Sequence, residues 1–124
     1  MSEANLRSGV AARIHPNEDI SEAIEKVAAD AGLVNATVRG AIGSLVGACL
    51  DTPGGRVDVI APAVEVIELS GTVRTEAGRP RVELSTVLVD PNGDLHAGEI
   101  VRGENLVSLT FELTLEAWRT PFGP

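Results

Sequence analysis

The sequence predicts an α+β fold: a compact antiparallel β-sheet with one main helix near the N-terminus. Three observations carry the prediction. Only one stretch, residues 19–32, spaces its apolar residues at helical period. After it come some seven runs rich in Val, Leu, Ile and Thr, separated by Gly, Pro and Asn. Neither an internal repeat nor a linker breaks the 124 residues, a length that suits one domain with a modest core.

In chain order, residues 1–8 read as a flexible polar tail and 9–15 as a first strand, with Pro16 and Asn17 breaking it. In the helix, Ile20, Ala23, Ile24, Val27, Ala28 and Ala31 form one apolar stripe. Asn17 or Asp19 can cap its start, and Gly32 can end it. Its other face, Glu22, Glu25, Lys26 and Asp30, reads as solvated. Two strands are expected at 35–42 and 45–52, parted by Gly43 and Ser44. The glycines of GAIGSLVGACL invite comparison with a phosphate loop. The Gly-Lys-Ser/Thr ending is missing and no helix follows, so bends or close backbone contacts are the better reading. The turn PGG precedes a short strand at 57–60; Pro62 then separates it from another at 63–73. The last strand alternates Val107, Leu109, Phe111, Leu113 and Leu115 on one face with Ser108, Thr110, Glu112, Thr114 and Glu116 on the other. The domain is expected to span 9–118, leaving 119–124 as a C-terminal tail.

Composition narrows the function classes. Two Phe, one Trp and no Tyr leave an aliphatic core and few rings for stacking on bases. A net charge of −8 repels phosphate backbones, so nucleic acid is an unfavourable partner. Cys49, alone and in an apolar run, reads as a buried small hydrophobe. No signal segment opens the chain, and no run approaches the roughly 20 apolar residues of a membrane helix. A cytoplasmic protein without membrane attachment is the expectation.

Residues 79–102 carry the chemistry. The break DPNG between two aliphatic runs reads as a hairpin with a three-residue, glycine-bulged loop. That loop pairs Asp90 with Asp94, Val89 with Leu95, Val87 with Ala97 and Ser85 with Glu99, and places Glu83 diagonally on the same face. A two-residue loop would slip the register by one and turn Glu99 over. Glu83, Ser85 and Glu99 are therefore the candidate site. Two carboxylates crowded on a half-buried face suit proton transfer, with Glu83 and Glu99 as the catalytic groups. Ser85 is a candidate ligand contact, and Arg39 a candidate anchor for an anionic ligand. The competing reading makes these glutamates rim residues paired with Arg81 or Arg102. His96 falls on the opposite face, opposite Leu88, and His15 in a loop.

The order NEDISEAI, GAIGSLVGACL, VEVIELSGTV and RPRVELSTVLVDPNGDLHAGEIVRG resembles the PPC domain family, shared by prokaryotic single-domain proteins and plant AT-hook proteins. The likeness implies an antiparallel sheet with one helix, assembled as a homotrimer. Prokaryotic members carry His-x-His and Gly-Gly-His in the hairpin strands, clustered as a metal site. Those histidines fall here on Glu83, Ser85 and Glu99. Oxygen ligands suit Mg²⁺, Ca²⁺ or Mn²⁺ rather than zinc, so the metal expected from the resemblance is weak and divalent. Plant members bind DNA through a separate basic segment, and no Arg-Gly-Arg-Pro run is present here. Two functions follow: a trimeric module that binds a small ligand in a regulatory role, or a small-molecule lyase or isomerase. DNA binding, the loose family label, ranks last.

Overall fold

The computed structural model describes residues 2–6 and 9–118; for 2–6, 61 and 62 it describes the backbone alone. Seven strands and one helix follow one another: β1 (Ser2–Leu6), β2 (Gly9–Ile14), α1 (Ile20–Asp30), β3 (Asn35–Thr52), β4 (Gly55–Glu76), β5 (Arg79–Val89), β6 (Leu95–Ile100) and β7 (Val107–Ala117). They form one antiparallel sheet in the order β1-β2-β7-β3-β4-β5-β6, and β6 also pairs with β3. That extra pairing, Leu50 with Ile100 and Asp51 with Glu99, curls the sheet until β3, β4, β5 and β6 meet in a ring.

The helix lies where its local chemistry puts it. Asp19, extended at φ −71° and ψ 130°, caps the start by accepting the Glu22 amide at 3.0 Å. Its other oxygen accepts the Asn105 amide at 3.1 Å and so ties the cap to the β6–β7 loop. At the far end Leu33 N–H reaches the Ala28 carbonyl and Gly32 N–H the Ala29 carbonyl, which lets the chain turn through Gly32 at φ 70°. Ile20, Ile24, Val27 and Ala28 are fully buried against the sheet. Each large side chain so covered contributes about 1.5–3 kcal/mol relative to exposure. Across from them lie Val10, Ile14, Leu45, Leu50, Val64, Val73, Leu88, Phe111 and Leu115, all at zero exposure.

Several expectations change. Residues 2–6, read as tail, form β1 and pair with β2 from Ser2↔Arg13 to Leu6↔Gly9. The C-terminal tail, 119–124, lies outside the described residues. The breaks expected at Gly43–Ser44 and at Pro62 do not end strands; β3 and β4 run through them as irregular pairing. Between Leu45 and Gly47 the partner on β4 moves from Val64 to Ile60, so the stretch with Pro62 is absorbed as a bulge. Gly43 leaves no room for a side chain, since a Cβ would sit 2.5 Å from the Phe111 ring. In β7, alternation holds except at Leu109, which is 73% exposed where the ladder to β3 slips between Gly43↔Phe111 and Leu45↔Val107.

The helix's outer face is also not uniformly solvated. Glu25 is buried and takes Arg102 Nη2 at 2.8 Å and Nε at 3.1 Å on one oxygen, and the Val82 amide at 3.1 Å on the other. Helix, β5 and the turn that follows β6 are thereby held by one carboxylate.

Candidate functional site

The hairpin has the register its turn chemistry predicts. Asp90 N–H donates to the Asp94 carbonyl at 3.0 Å and Gly93 N–H to the Asp90 carbonyl at 2.9 Å, with Gly93 at φ 86°. The ladder then runs Val89↔Leu95, Leu88↔His96, Val87↔Ala97, Thr86↔Gly98 and Ser85↔Glu99. Alternating from the bonded Asp90–Asp94 pair, Ser85 and Glu99 form a non-bonded pair, the kind whose side chains stand closer.

Pairing further around the ring extends this row. Ser70 on β4 faces Ser85, Ser85 faces Glu99, Glu99 faces Asp51 on β3, and Asp51 faces Arg56 at the start of β4. Strands in a sheet lie about 4.8 Å apart, so the four groups from Ser70 to Asp51 form one lateral polar row on a single face. They line a groove of about 530 Å³ with Glu68, Val87, Ala97 and Pro53. Glu83, opposite Thr72, lies one step along and lines a second groove of about 390 Å³ that shares Ser85 and Glu99. Ser85 and Glu99 therefore form the wall between the two.

Gly98 makes the β3–β6 contact possible. A Cβ there would meet the Asp51 carbonyl oxygen at 2.7 Å and Leu50 Cβ at 3.1 Å. Glycine alone lets β6 approach near enough for Glu99 to stand beside Asp51.

Among the described residues neither Glu83 nor Glu99 has an ion-pair or hydrogen-bond partner. Of the two arginines expected beside them, Arg102 is committed to Glu25, and among the described residues Arg81 forms no ion pair with either glutamate. Asp51 is held by Arg56, Nε to Oδ1 at 3.3 Å, both half exposed. Arg39 does not reach either groove: its Nε lies 3.5 Å from Glu116 Oε1 on the exposed β3–β7 surface. Alternation along β3 is interrupted between Arg39 and Ala41, which the sequence pattern does not reveal. Asp51, Glu68 and Ser70 were not legible as site residues, because the pairing that gathers them joins strands distant in sequence.

The donor set does not fit a zinc site. Among the described residues no three His, Cys, Asp or Glu side chains come together to hold a metal ion, and the imidazoles implied by the resemblance are replaced by Glu83, Ser85 and Glu99. His96 faces away from the groove, opposite Leu88, with its Nε2 2.8 Å from Asp90 Oδ2. That hydrogen bond, with the Asp94 and Asn92 amides, holds the Asp90 carboxyl below the usual aspartate range. Cys49 is buried, and burial, with Asp58 beside it, raises its thiol. Its amide and carbonyl are both bonded by the fully buried Asn105 side chain, at 2.9 and 3.1 Å.

Comparison with known proteins agrees with this architecture. No curated protein matches the chain. Among solved structures, a conjectured DNA-binding protein from Bacteroides thetaiotaomicron superposes at TM-score 0.83 with 15% identity, over 96% of this chain and 84% of that one. A metal-containing protein from Archaeoglobus fulgidus gives 0.74 at 18% identity, covering 91% and 81%. A plant- and prokaryote-conserved protein from Pyrococcus horikoshii gives 0.70 at 22%, covering 96% and 82%. At these identities the likeness speaks for the fold. The model of the Plants and Prokaryotes Conserved (PCC) domain matches residues 1–119, and the chain belongs to that family.

Proposed function

We propose that the chain is a homotrimeric module that binds a small ligand in the groove over Ser70, Ser85, Glu99 and Asp51, in a regulatory role. One observation carries the reading: a polar row lines an open groove, and its central carboxylate, Glu99, has no structural partner among the described residues. A carboxylate that stabilised the fold would be paired, as the covered Glu25 and Asp90 are. Hydroxyls and carboxylates over the apolar floor of Val87 and Ala97 favour a ligand with hydrogen-bond donors and a short apolar part.

Assembly is supported by aliphatic side chains that the single chain leaves uncovered. Ile60 is 94% exposed, and Ile42, Ile67, Leu95 and Leu109 are each more than half exposed. The hairpin's inner leucines, Leu84 and Leu88, do not add to this surface because the core buries them. Symmetric association buries such surface, and light scattering is expected to give the mass of three chains at micromolar concentration.

A proton-transfer enzyme is the second reading, favoured by the two carboxylates, Asp51 and Glu99, opposed across the β3–β6 contact. Crystals soaked with a metabolite library test both, through density in the groove. Glu99→Gln is expected to abolish binding or turnover while changing stability by less than about 0.5 kcal/mol, as for a surface substitution that breaks no contact. Loss of stability without loss of binding would refute the proposal.

A further inference from the structure

We propose that the Asp90 carboxylate is a positioning group for the groove: by holding the hairpin turn and the His96 ring together, it fixes the register that sets Glu99 beside Ser85 and Asp51. The inference rests on the groove reading above and adds what controls its geometry.

The need for such a lock comes from β6 itself. Register is specified where one face of a strand is clearly apolar, and weakly specified where the pattern is mixed or glycine-rich. In LHAGEI the inner face carries His96, Gly98 and Ile100, whereas Leu95, 66% exposed, points outward. This pattern does not choose a face. Beyond the hairpin, the clasp on β3 adds Leu50↔Ile100, Asp51↔Glu99 and the Val101 N–H to Cys49 carbonyl bond at 3.1 Å, and Arg102 is held by Glu25; all lie at the far end of β6 from the turn. A two-residue loop would pair Asp90 with Gly93, place Leu84 opposite Glu99, and carry the carboxylate to the side of buried Leu84 and Leu88.

Asp90 opposes that slip with both oxygens. Oδ1 accepts the amides of Asn92 at 2.8 Å and Asp94 at 3.1 Å, two donors left unpaired by the ladder in the three-residue loop. Oδ2 meets His96 Nε2 at 2.8 Å, with side-chain exposures of 13% for Asp90 and 28% for His96. Asp90 and His96 lie on the face of Leu84, Thr86 and Leu88. Because side chains alternate, a ring held on that face at position 96 puts position 99 on the opposite one. The contact that looks remote from the groove therefore decides which side of the sheet Glu99 occupies.

The test uses the full chain carrying Val87→Cys and Ala97→Cys, a facing non-bonded pair close enough for a disulfide only in the native register. Oxidative cross-linking is read with and without Asp90→Ala, alongside the Hα–Hα NOE between Ser85 and Glu99 in the protein without added cysteines. Asp90→Ala is expected to lower the cross-link yield about threefold or more and to weaken the NOE in the folded fraction. A purely structural turn residue lowers the urea midpoint but leaves both readouts of the folded fraction intact. If Asp90→Ala does not fold, Asp90→Asn and His96→Ala are read the same way, and each is expected to lower the yield by a smaller factor. Unchanged yield and NOE in the variants that fold would overturn the proposal and assign the register to the β3 clasp. Neither readout needs a ligand, so its failure is distinct from failure of the groove reading.

Discussion

Replacing Gly98 with alanine adds one methyl at the point where the ring of strands closes. The new Cβ would lie 2.7 Å from the Asp51 carbonyl oxygen, 3.1 Å from Leu50 Cβ and 3.1 Å from Thr52 Cγ2. A relaxed C–H···O contact begins near about 3.3 Å, so β6 and β3 must part by roughly 0.6 Å. Two of the three obstacles, a carbonyl oxygen and a Cβ, have no rotamer by which to yield. Overpacking of this kind costs about 1–3 kcal/mol, and restricting the unfolded chain returns about 0.4–1 kcal/mol. The net expectation is a loss of about 1–2 kcal/mol, which for a domain of this size lowers Tm by several degrees. Urea unfolding followed by Trp118 fluorescence measures the loss, and amide exchange at Glu99, Ile100 and Val101 locates it. Faster exchange confined to those residues is the expected signature, and ligand affinity should fall with it as Glu99 draws away from Asp51. An unchanged midpoint with unchanged exchange would refute the reasoning, because it would mean that the strands do not approach this closely.

Three further outcomes follow from named contacts. Glu25→Ala removes the acceptor for Arg102 and for the Val82 amide; hydrogen bonds to charged groups contribute about 1.5–3 kcal/mol. Arg102 is half exposed, which discounts the ion pair to the lower part of that range, and thermal unfolding measures the loss. The Asp90 carboxyl titrates below its unfolded value, so its stabilisation is present above that value and is lost as pH falls through the lower, folded one. Acid titration should therefore loosen the hairpin tip only below about pH 4, and Asp90→Asn should remove that step from the NMR shifts of Asn92 and Asp94. With a net charge of −8 and carboxylates around the groove, duplex DNA should show no mobility shift at low micromolar protein and physiological salt; a salt-sensitive shift would expose a basic surface that composition hides.

Local chemistry made the helix and the hairpin legible. Asp19, the apolar stripe and Gly32 act within a few residues of one another, and so do Asp90, Asn92, Gly93 and Asp94. The same local view misjudged β3 and β4, because Gly43 and Pro62 end a strand only when no partner accommodates the irregularity. Here β7 and β4 do accommodate it, through slips that only the partner strands determine. Glu25 was misread for a related reason. It sits at the margin of the apolar stripe, and its burial depends on Arg102 and Val82 arriving from the turn after β6 and from β5.

The candidate site divides along the same line. Ser85 and Glu99 share a hairpin, so turn chemistry sufficed to place them on one face. Asp51 and Ser70 join them only because the sheet curls until β6 reaches β3, and the sole sequence trace of that closure is Gly98. Glycine in a strand costs stability relative to a residue with a side chain, so its presence between Ala97 and Glu99 needs a compensating contact. The Asp51 carbonyl supplies it. The closure also explains why Arg39 and Arg102 do not neutralise the row: one is taken by Glu116 on the β7 side, the other by Glu25 on the helix. Among the described residues Arg56 borders the row, held by Asp51, which leaves Glu99 as the carboxylate within the row able to meet an incoming ligand without first giving up a partner, with Glu68 and Glu83 unpaired at its margins.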